Sequence, residues 1–307
     1  MSRPLDLFDL PTITRYTGEA LPLDSARWLT RGSPLELVNF LAHLNPIKYI
    51  YTAVQNGDDG KPLLGGIIKN GDETFAHLNY LAPVERLSDD GPVTALVEHL
   101  AAQAGKWGTF HVVAEVAEGA DAYRSLRMAG FAVYAWQRLW DLSNLPAGTG
   151  GSGWNRMRSA DLIAVQNLSH QIIPALIQPI ERTAKKAEGL VCYSGGIQAH
   201  VQVVAGRRGI YLRPLFHPEA ENVGAALTSL INHLPSRSGR PVYLCVRSYQ
   251  AWLEPVLEDL GATASERQAV MVKHLAQSLK EEQAVKAVQA AGVSVQPSRV
   301  SRIDKKS

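Results

Sequence analysis

The residues with the most chemical potential in this 307-residue chain form the run His217-Pro218-Glu219-Ala220-Glu221-Asn222-Val223-Gly224-Ala225-Ala226-Leu227. Gly224, Ala225 and Ala226 open an apolar helical pattern, and small residues there let backbone approach a ligand. The first N–H groups of a helix have no partner inside it, and the helix dipole favours an anion beside them. Glu219 and Glu221 stand on the same approach and carry the wrong sign for an anion. Arg207, Arg208 and Arg213 precede them on strand-like runs and supply positive charge if they point that way.

Proton transfer near neutral pH needs an imidazole, a shifted carboxyl or a phenol. His200, His217 and Tyr249 are the candidates in the second half, and His77, His111 and Glu115 in the first. Each also has a plainer role, since a strand histidine often packs or faces water. Tyr123 and Tyr249, at helical spacing, equally well pack a core. No Ser/His/Asp set assembles by local spacing, and no Cys/His grouping has metal-ligand spacing.

Elements that position these residues occur in one order twice. Residues 71–141 run strand, acidic turn, amphipathic helix, strand, short helix closing in Ala-Gly-Phe, and strand. Residues 205–276 repeat that order, with the short helix closing in Leu-Gly-Ala. The first helix of the earlier copy places Val93, Leu96, Val97 and Leu100 at helical spacing. Upstream, Ser33 and Pro34 cap a helix through Leu44, and strands over 47–54, 63–68 and 74–81 form a meander around turns at 56–60 and 70–72. Trp154–Arg158 is a strand, and the helical stretch after it is broken by Pro174 and Pro179. Strands follow at 190–193, 198–205 and 209–215, a helix at 223–234, a strand at 241–246, a helix at 252–260 and a strand at 269–274. Tyr134, Trp136 and Trp140 alternate on one strand and are expected on one face, as core or as an acceptor pocket.

Pro146-Ala-Gly-Thr-Gly-Gly-Ser-Gly153 reads as a flexible linker. The expected organisation is therefore a domain over 1–145, a linker over 146–153, a second domain over 154–276, and a polar helix with a basic tail over 277–307. Hydrophobic content of 46% with 20% charged residues suits a globular protein with sizeable cores. No run approaches the roughly 20 apolar residues that span a bilayer, so no membrane role is expected. Asp6 and Asp9 make the start a poor secretory signal, and two cysteines, Cys192 and Cys245, lie in apolar runs. The expectation is buried free thiols and the cytoplasm. Residues 1–150 carry 12 Lys+Arg and 17 Asp+Glu, and residues 151–307 carry 19 and 12. The basic tail with Arg299, Arg302, Lys305 and Lys306 is short and lacks interleaved aromatics, which argues against nucleic acid. Contact between oppositely charged halves accounts for the asymmetry at least as well.

The doubled order and the 217–227 loop resemble the GNAT superfamily of acyl-CoA-dependent N-acyltransferases. The resemblance implies two tandem α/β (α+β) domains, each a mixed, mostly antiparallel sheet flanked by helices. In that family the loop before the long helix holds the pyrophosphate of the cofactor and reads Arg or Gln, two residues, Gly, one residue, then Gly or Ala. Gly224, Ala226 and Leu227 match, and Glu221 departs. In the first copy Gly91 matches the first glycine, whereas Ser88 and Val93 do not match the other places. Asp89, Asp90 and Pro92 equally suit an ordinary helix start. The family often places a Tyr four residues before the closing Gly as a general acid, and here Leu126 and Leu257 stand there. Seven residues earlier, where Asn is common, the copies have Gly119 and Gln250.

The resemblance therefore implies an acetyl-CoA-dependent N-acetyltransferase-like protein acting on a small-molecule or peptide amine. The cofactor would lie in the second copy, on Val223, Gly224, Ala225, Ala226 and Gln250. The alternative is a catalytically silent tandem scaffold that binds a small molecule or a protein. Oligomeric state stays open.

Overall fold

The structure is a computed structural model, and it describes residues 2–36, 49–56, 61–71, 73–145, 153–181, 186–234 and 239–275. The expected helix beyond Glu36, most of the turn after Asn56, the linker apart from Gly153, and the 277–291 helix with its tail lie outside the described residues, and Ser33–Glu36 form a turn.

The first half contains β1 (Ser2–Pro4), α1 (Leu10–Arg15), β2 (Leu21–Pro22), α2 (Ser25–Arg31), β3 (Tyr49–Gln55), β4 (Leu63–Lys69) and β5 (Phe75–Ala82). It continues with α3 (Asp90–Lys106), β6 (His111–Ala117), α4 (Ala122–Met128) and β7 (Ala132–Asp141). The second half contains β8 (Trp154–Arg156), α5 (Leu162–Ile172), β9 (Leu190–Tyr193), β10 (Ile197–Ala205) and β11 (Ile210–Phe216). It ends with α6 (Val223–Leu230), β12 (Val242–Arg247), α7 (Leu253–Asp259), β13 (Thr263–Ala264) and β14 (Gln268–His274). Val93, Leu96, Val97 and Leu100 of α3 are all buried, as their spacing predicts. Each such side chain contributes about 1.5–3 kcal/mol relative to exposure.

All the described strands join one 14-stranded sheet, ordered β1-β3-β4-β5-β6-β14-β7-β12-β11-β10-β9-β8, with β2 beside β5 and β13 beside β7. Only β5·β6 and β11·β12 are parallel, and the other described pairs are antiparallel. The two copies exchange their last strands. β14 of the second copy lies between β6 and β7 of the first, with Val270 opposite Glu115 on one side and Ala135 on the other. β7 in turn pairs with β12, placing Gln137 opposite Arg247.

Alternation along the strands splits the core by face. Val112, Ala114, Val116, Ala269 and Met271 pack under α3 and α4. Ile210, Leu212, Val242, Leu244 and Val246 pack under α6 and α7. On the opposite face, Val113, Ala135, Val270 and Leu215 meet Leu168 of α5 and Ile173, Ile177 and Ile180 beyond it. There too, α2 of the first copy lays Ala26 and Leu29 on Leu139, Tyr211 and Cys245. A register shift beside Tyr134 corrects one expectation. Tyr134 packs with the α5 cluster, while Trp136 packs against the α3 side, so the three aromatics do not share a face.

Candidate functional site

Each copy contains a parallel strand pair that parts company. β5 and β6 are paired only at Phe75–His111, Ala76–Val112 and His77–Val113. β11 and β12 are paired only at Ile210–Val242, Tyr211–Tyr243 and Leu212–Leu244. Beyond those residues the facing backbone groups need other partners, since buried amides are costly to leave bare.

In the first copy the chain itself supplies them. β2 runs antiparallel to β5, with Leu21 opposite Leu81 and Pro22 opposite Tyr80. Leu23 N–H donates to Asn79 C=O at 3.0 Å, and Glu115 N–H donates to Leu23 C=O at 2.9 Å. The segment Leu21–Ser25 thus bridges β5 and β6 and fills their gap. At the start of α3, Asp90 accepts from Ser125 Oγ at 2.9 Å and pairs with Arg124 at 3.0 Å. The acidic turn of this copy is a structural helix start.

In the second copy a side chain does the equivalent work. Gln250 is 1% exposed. Its Oε1 accepts from Phe216 N–H at 2.9 Å, and its Nε2 donates to Pro214 C=O at 2.8 Å. Beside this gap α6 begins at Val223 without a side-chain cap, after Asn222 in the left-handed region at φ 51°. The first internal bond runs from Ala226 N–H to Asn222 C=O at 3.0 Å. Val223, Gly224 and Ala225 therefore keep N–H groups outside the helix's own bonding. Ala226 spends its N–H on that bond, and its C=O accepts from Trp154 Nε1 at 2.8 Å. A Cβ on Gly224 would lie 3.7 Å from Val256 of α7, so its bare side faces a helix neighbour.

Charge around this helix start is acidic. Glu219 and Glu221 are exposed. His217 Nδ1 accepts from Glu219 N–H at 3.2 Å, which commits this histidine to shaping the loop. The arginines expected to compensate are mostly engaged elsewhere. Arg208 bonds Glu36 at 2.6 Å, and Arg213 points to the opposite face of the sheet.

That opposite face holds a buried ionic chain. Glu181 sits 3.4 Å from Arg213 and 3.1 Å from Arg247, and Arg247 reaches Glu115 of the first copy at 3.3 Å. Ser25 N–H donates to the second Glu115 oxygen at 3.0 Å. Burial alone would raise the Glu115 carboxyl, but Arg247, Arg213 and this N–H hold it below its ordinary value. Burial would lower the Arg247 guanidinium, and Glu181, Cys245 and Glu115 drive it upward instead. Glu115 is therefore an ion-pair partner, not a free base.

Next to this chain lies a small cavity of ≈ 10 Å³, about what one water needs, lined by His200, Gln202, Arg213, Glu181 and Tyr249 among others. His200 and Tyr249 thus come together, while His217 lies on the loop. His200 Nε2 bonds Glu188 C=O at 3.0 Å, and burial lowers its imidazole against that carbonyl. Tyr249 donates to Glu181 at 3.4 Å, and burial together with that carboxylate raises its phenol. Leu126 and Leu257 are fully buried, so no proton donor occupies either position where the resemblance expects a tyrosine. In the first copy His77 is buried beside Asp24 at 3.9 Å, and His111 stacks edge-on with His274 at 4.8 Å. Glu181 and Arg247 carry no signal of this role in the sequence, because a Glu after two prolines and an Arg ending a strand look like surface charges.

Among the described residues no helix is long and apolar enough to cross a membrane, and no group of three His/Cys/Asp/Glu could hold a metal ion. Cys192 and Cys245 are free and buried.

No family model matches the sequence, and no curated protein matches it. Solved structures do resemble the fold. A GCN5-related N-acetyltransferase from Sphaerobacter thermophilus matches with 14% identity over 89% of this chain and 95% of its own, at a TM-score of 0.57. A tandem GNAT protein from the clavulanic acid biosynthesis pathway matches with 16% identity over 89% of this chain and 98% of its own, at a TM-score of 0.51. The chain has the tandem GNAT fold.

Proposed function

We propose that this chain is a GNAT-type N-acetyltransferase-like protein that takes acetyl-CoA in its second copy and an amine, small-molecule or peptide, as acceptor. The observation that carries this reading is the uncapped start of α6 beside parting strands, in the one copy whose gap is not filled by backbone. The free N–H groups of Val223, Gly224 and Ala225 suit a pyrophosphate. Acetyl-CoA supplies the thioester. The chain's task is to bind and orient it and to exclude water, and such positioning alone carries much of the rate of acyl transfer. Burial lowers the imidazole of His200, which lines the small cavity with Tyr249, and His200 is a candidate to accept the amine's proton. Tyr249 is tied to Glu181, so proton delivery to the departing thiolate falls to solvent. The free buried thiols fit the cytoplasm.

The test is calorimetric titration of the full-length chain with acetyl-CoA, followed by an amine screen that reads thiol release. Saturable binding with amine-dependent release supports the reading. Absence of binding overturns it and leaves a silent tandem scaffold. Two observations favour that second reading: the gap of the second copy is bridged by Gln250, and the face behind it is sealed by the Glu181–Arg247–Glu115 chain.

A further inference from the structure

Asn79 and Pro214 occupy equivalent places in the two copies. Phe75 and Ile210 each begin the three parallel pairs of their copy, and Asn79 and Pro214 each lie four residues further on. Both present a carbonyl to the gap, and both carbonyls are occupied from within. Asn79 C=O takes the backbone N–H of Leu23, while Pro214 C=O takes the side-chain amide of Gln250.

The two occupants differ in what it takes to remove them. Leu23 is held by β2 on one side and α2 on the other, so withdrawing it would unpair β2 from β5 and break the Glu115 N–H bond. Gln250 sits on a tight helical turn over Ser248–Gln250, and only its side chain enters the gap. A rotamer change releases it without breaking a strand pair. Gln250 also offers one carbonyl and one N–H to two alternate residues of a strand. An extended ligand with two successive amides offers the same two groups, the N–H of one and the C=O of the next, because the N–H and C=O of a single trans amide point opposite ways.

We propose that Gln250 is the gate of the second cleft, an internal amide that must swing out before an extended, secondary-amide-bearing ligand can lie along β11. The first cleft has no such gate and is permanently closed. This gives Gln250 a different role from a ligand contact, because it competes with the ligand for Pro214 C=O and Phe216 N–H. Ligands that lack an N–H and a C=O so placed cannot replace it, since they would leave those two buried groups bare. The inference rests on the reading of the second cleft as the acyl-CoA site.

Removing the competitor should tighten binding. The full-length Gln250→Ala protein is expected to bind acetyl-CoA about tenfold more tightly than the unaltered chain, since it no longer breaks two internal hydrogen bonds on binding. Hydrogen exchange at the Phe216 amide gives a second readout. It should be slow in the unaltered chain, faster in Gln250→Ala, and slow again in that variant once acetyl-CoA is added. If Gln250→Ala proves unstable, Gln250→Asn is too short to span both groups and should show the same direction of change. Equal or weaker binding by the variants, with clear binding by the unaltered chain, overturns the gate and leaves the acyl-CoA reading intact. Failure of all three proteins to bind overturns the acyl-CoA reading and the gate together.

Discussion

Arg247 Nη2 lies 3.3 Å from Glu115 Oε1, and neither side chain is more than 4% exposed. One residue ends the fifth strand of the second copy and the other lies in the corresponding strand of the first. Their contact, extended to Glu181 and Arg213, forms a buried ionic bond between the copies. Breaking a buried pair from one side leaves an uncompensated charge, which typically costs about 3–5 kcal/mol. Arg247→Met should therefore lower stability by about that amount in a urea melt, while Arg247→Met combined with Glu115→Gln, which keeps the Arg213–Glu181 pair, should recover much of it. A single change costing under about 1 kcal/mol would show that the chain is not dry in solution.

Stability should fall on the acid side of neutrality. Burial lowers the imidazoles of His200, His111 and His99 from the ordinary value of 6.5. The unfolded chain then binds more protons than the folded one. The contribution is fully present above 6.5 and is lost as pH drops through the lowered folded values. Urea midpoints at about pH 7.5 and 5.5 read this directly. His200→Gln keeps an N–H for Glu188 C=O and cannot titrate, so its midpoint should vary less between those two conditions.

Two glycines that look alike in sequence should behave oppositely. A Cβ on Gly206 would lie 2.1 Å from Thr30 C=O, where α2 of the first copy meets the turn between β10 and β11. Gly206→Ala must push α2 away, at about 1–3 kcal/mol. Gly224 has ordinary contact distances on that side, and alanine is about 1 kcal/mol better inside a helix. Gly224→Ala should therefore hold or raise the melting temperature and leave acetyl-CoA affinity within about twofold, since the N–H groups of the first turn stay in place.

Glu221 offers a test by charge reversal. It is exposed beside the start of α6. Glu221→Arg should raise acetyl-CoA affinity about three- to tenfold at low salt, and the gain should shrink as salt rises. An unchanged affinity in a protein that does bind would move the pyrophosphate away from Val223–Ala225.

Element order was legible in the sequence because the periods of two and 3.6 are set by the backbone. The pairing of those elements was not. β7 and β14 are both alternating, largely apolar strands, and nothing in either marks which copy supplies its neighbours. The occupant of the first cleft was equally hidden, since β2 is two residues long and contains Pro22. Gly224, Ala225 and Ala226 stand out in the sequence by their small size, and the structure puts them at a helix start. Glu115 reads as a base candidate in the sequence, but its arginine partner is 132 residues away in the chain, beyond the reach of any local pattern. Gln250 is expected from the sequence as a cofactor contact, and the structure puts its amide on Pro214 and Phe216. Its two backbone partners were not visible, because a side-chain amide leaves no spacing signal.

The exchange of β7 and β14 also sets an order in time. A chain is made from its amino end, and the first copy would ordinarily close before the second exists. Here β6 and β7 are held apart by a strand that ends at His274, so the first copy cannot finish its sheet until synthesis has passed His274. Throughout that interval the sides of β6 and β7 that β14 will cover stay bare, open to the equivalent strand of a second nascent molecule. Dilution during refolding should therefore favour the monomer, and crowded translation of one message should favour interlocked pairs.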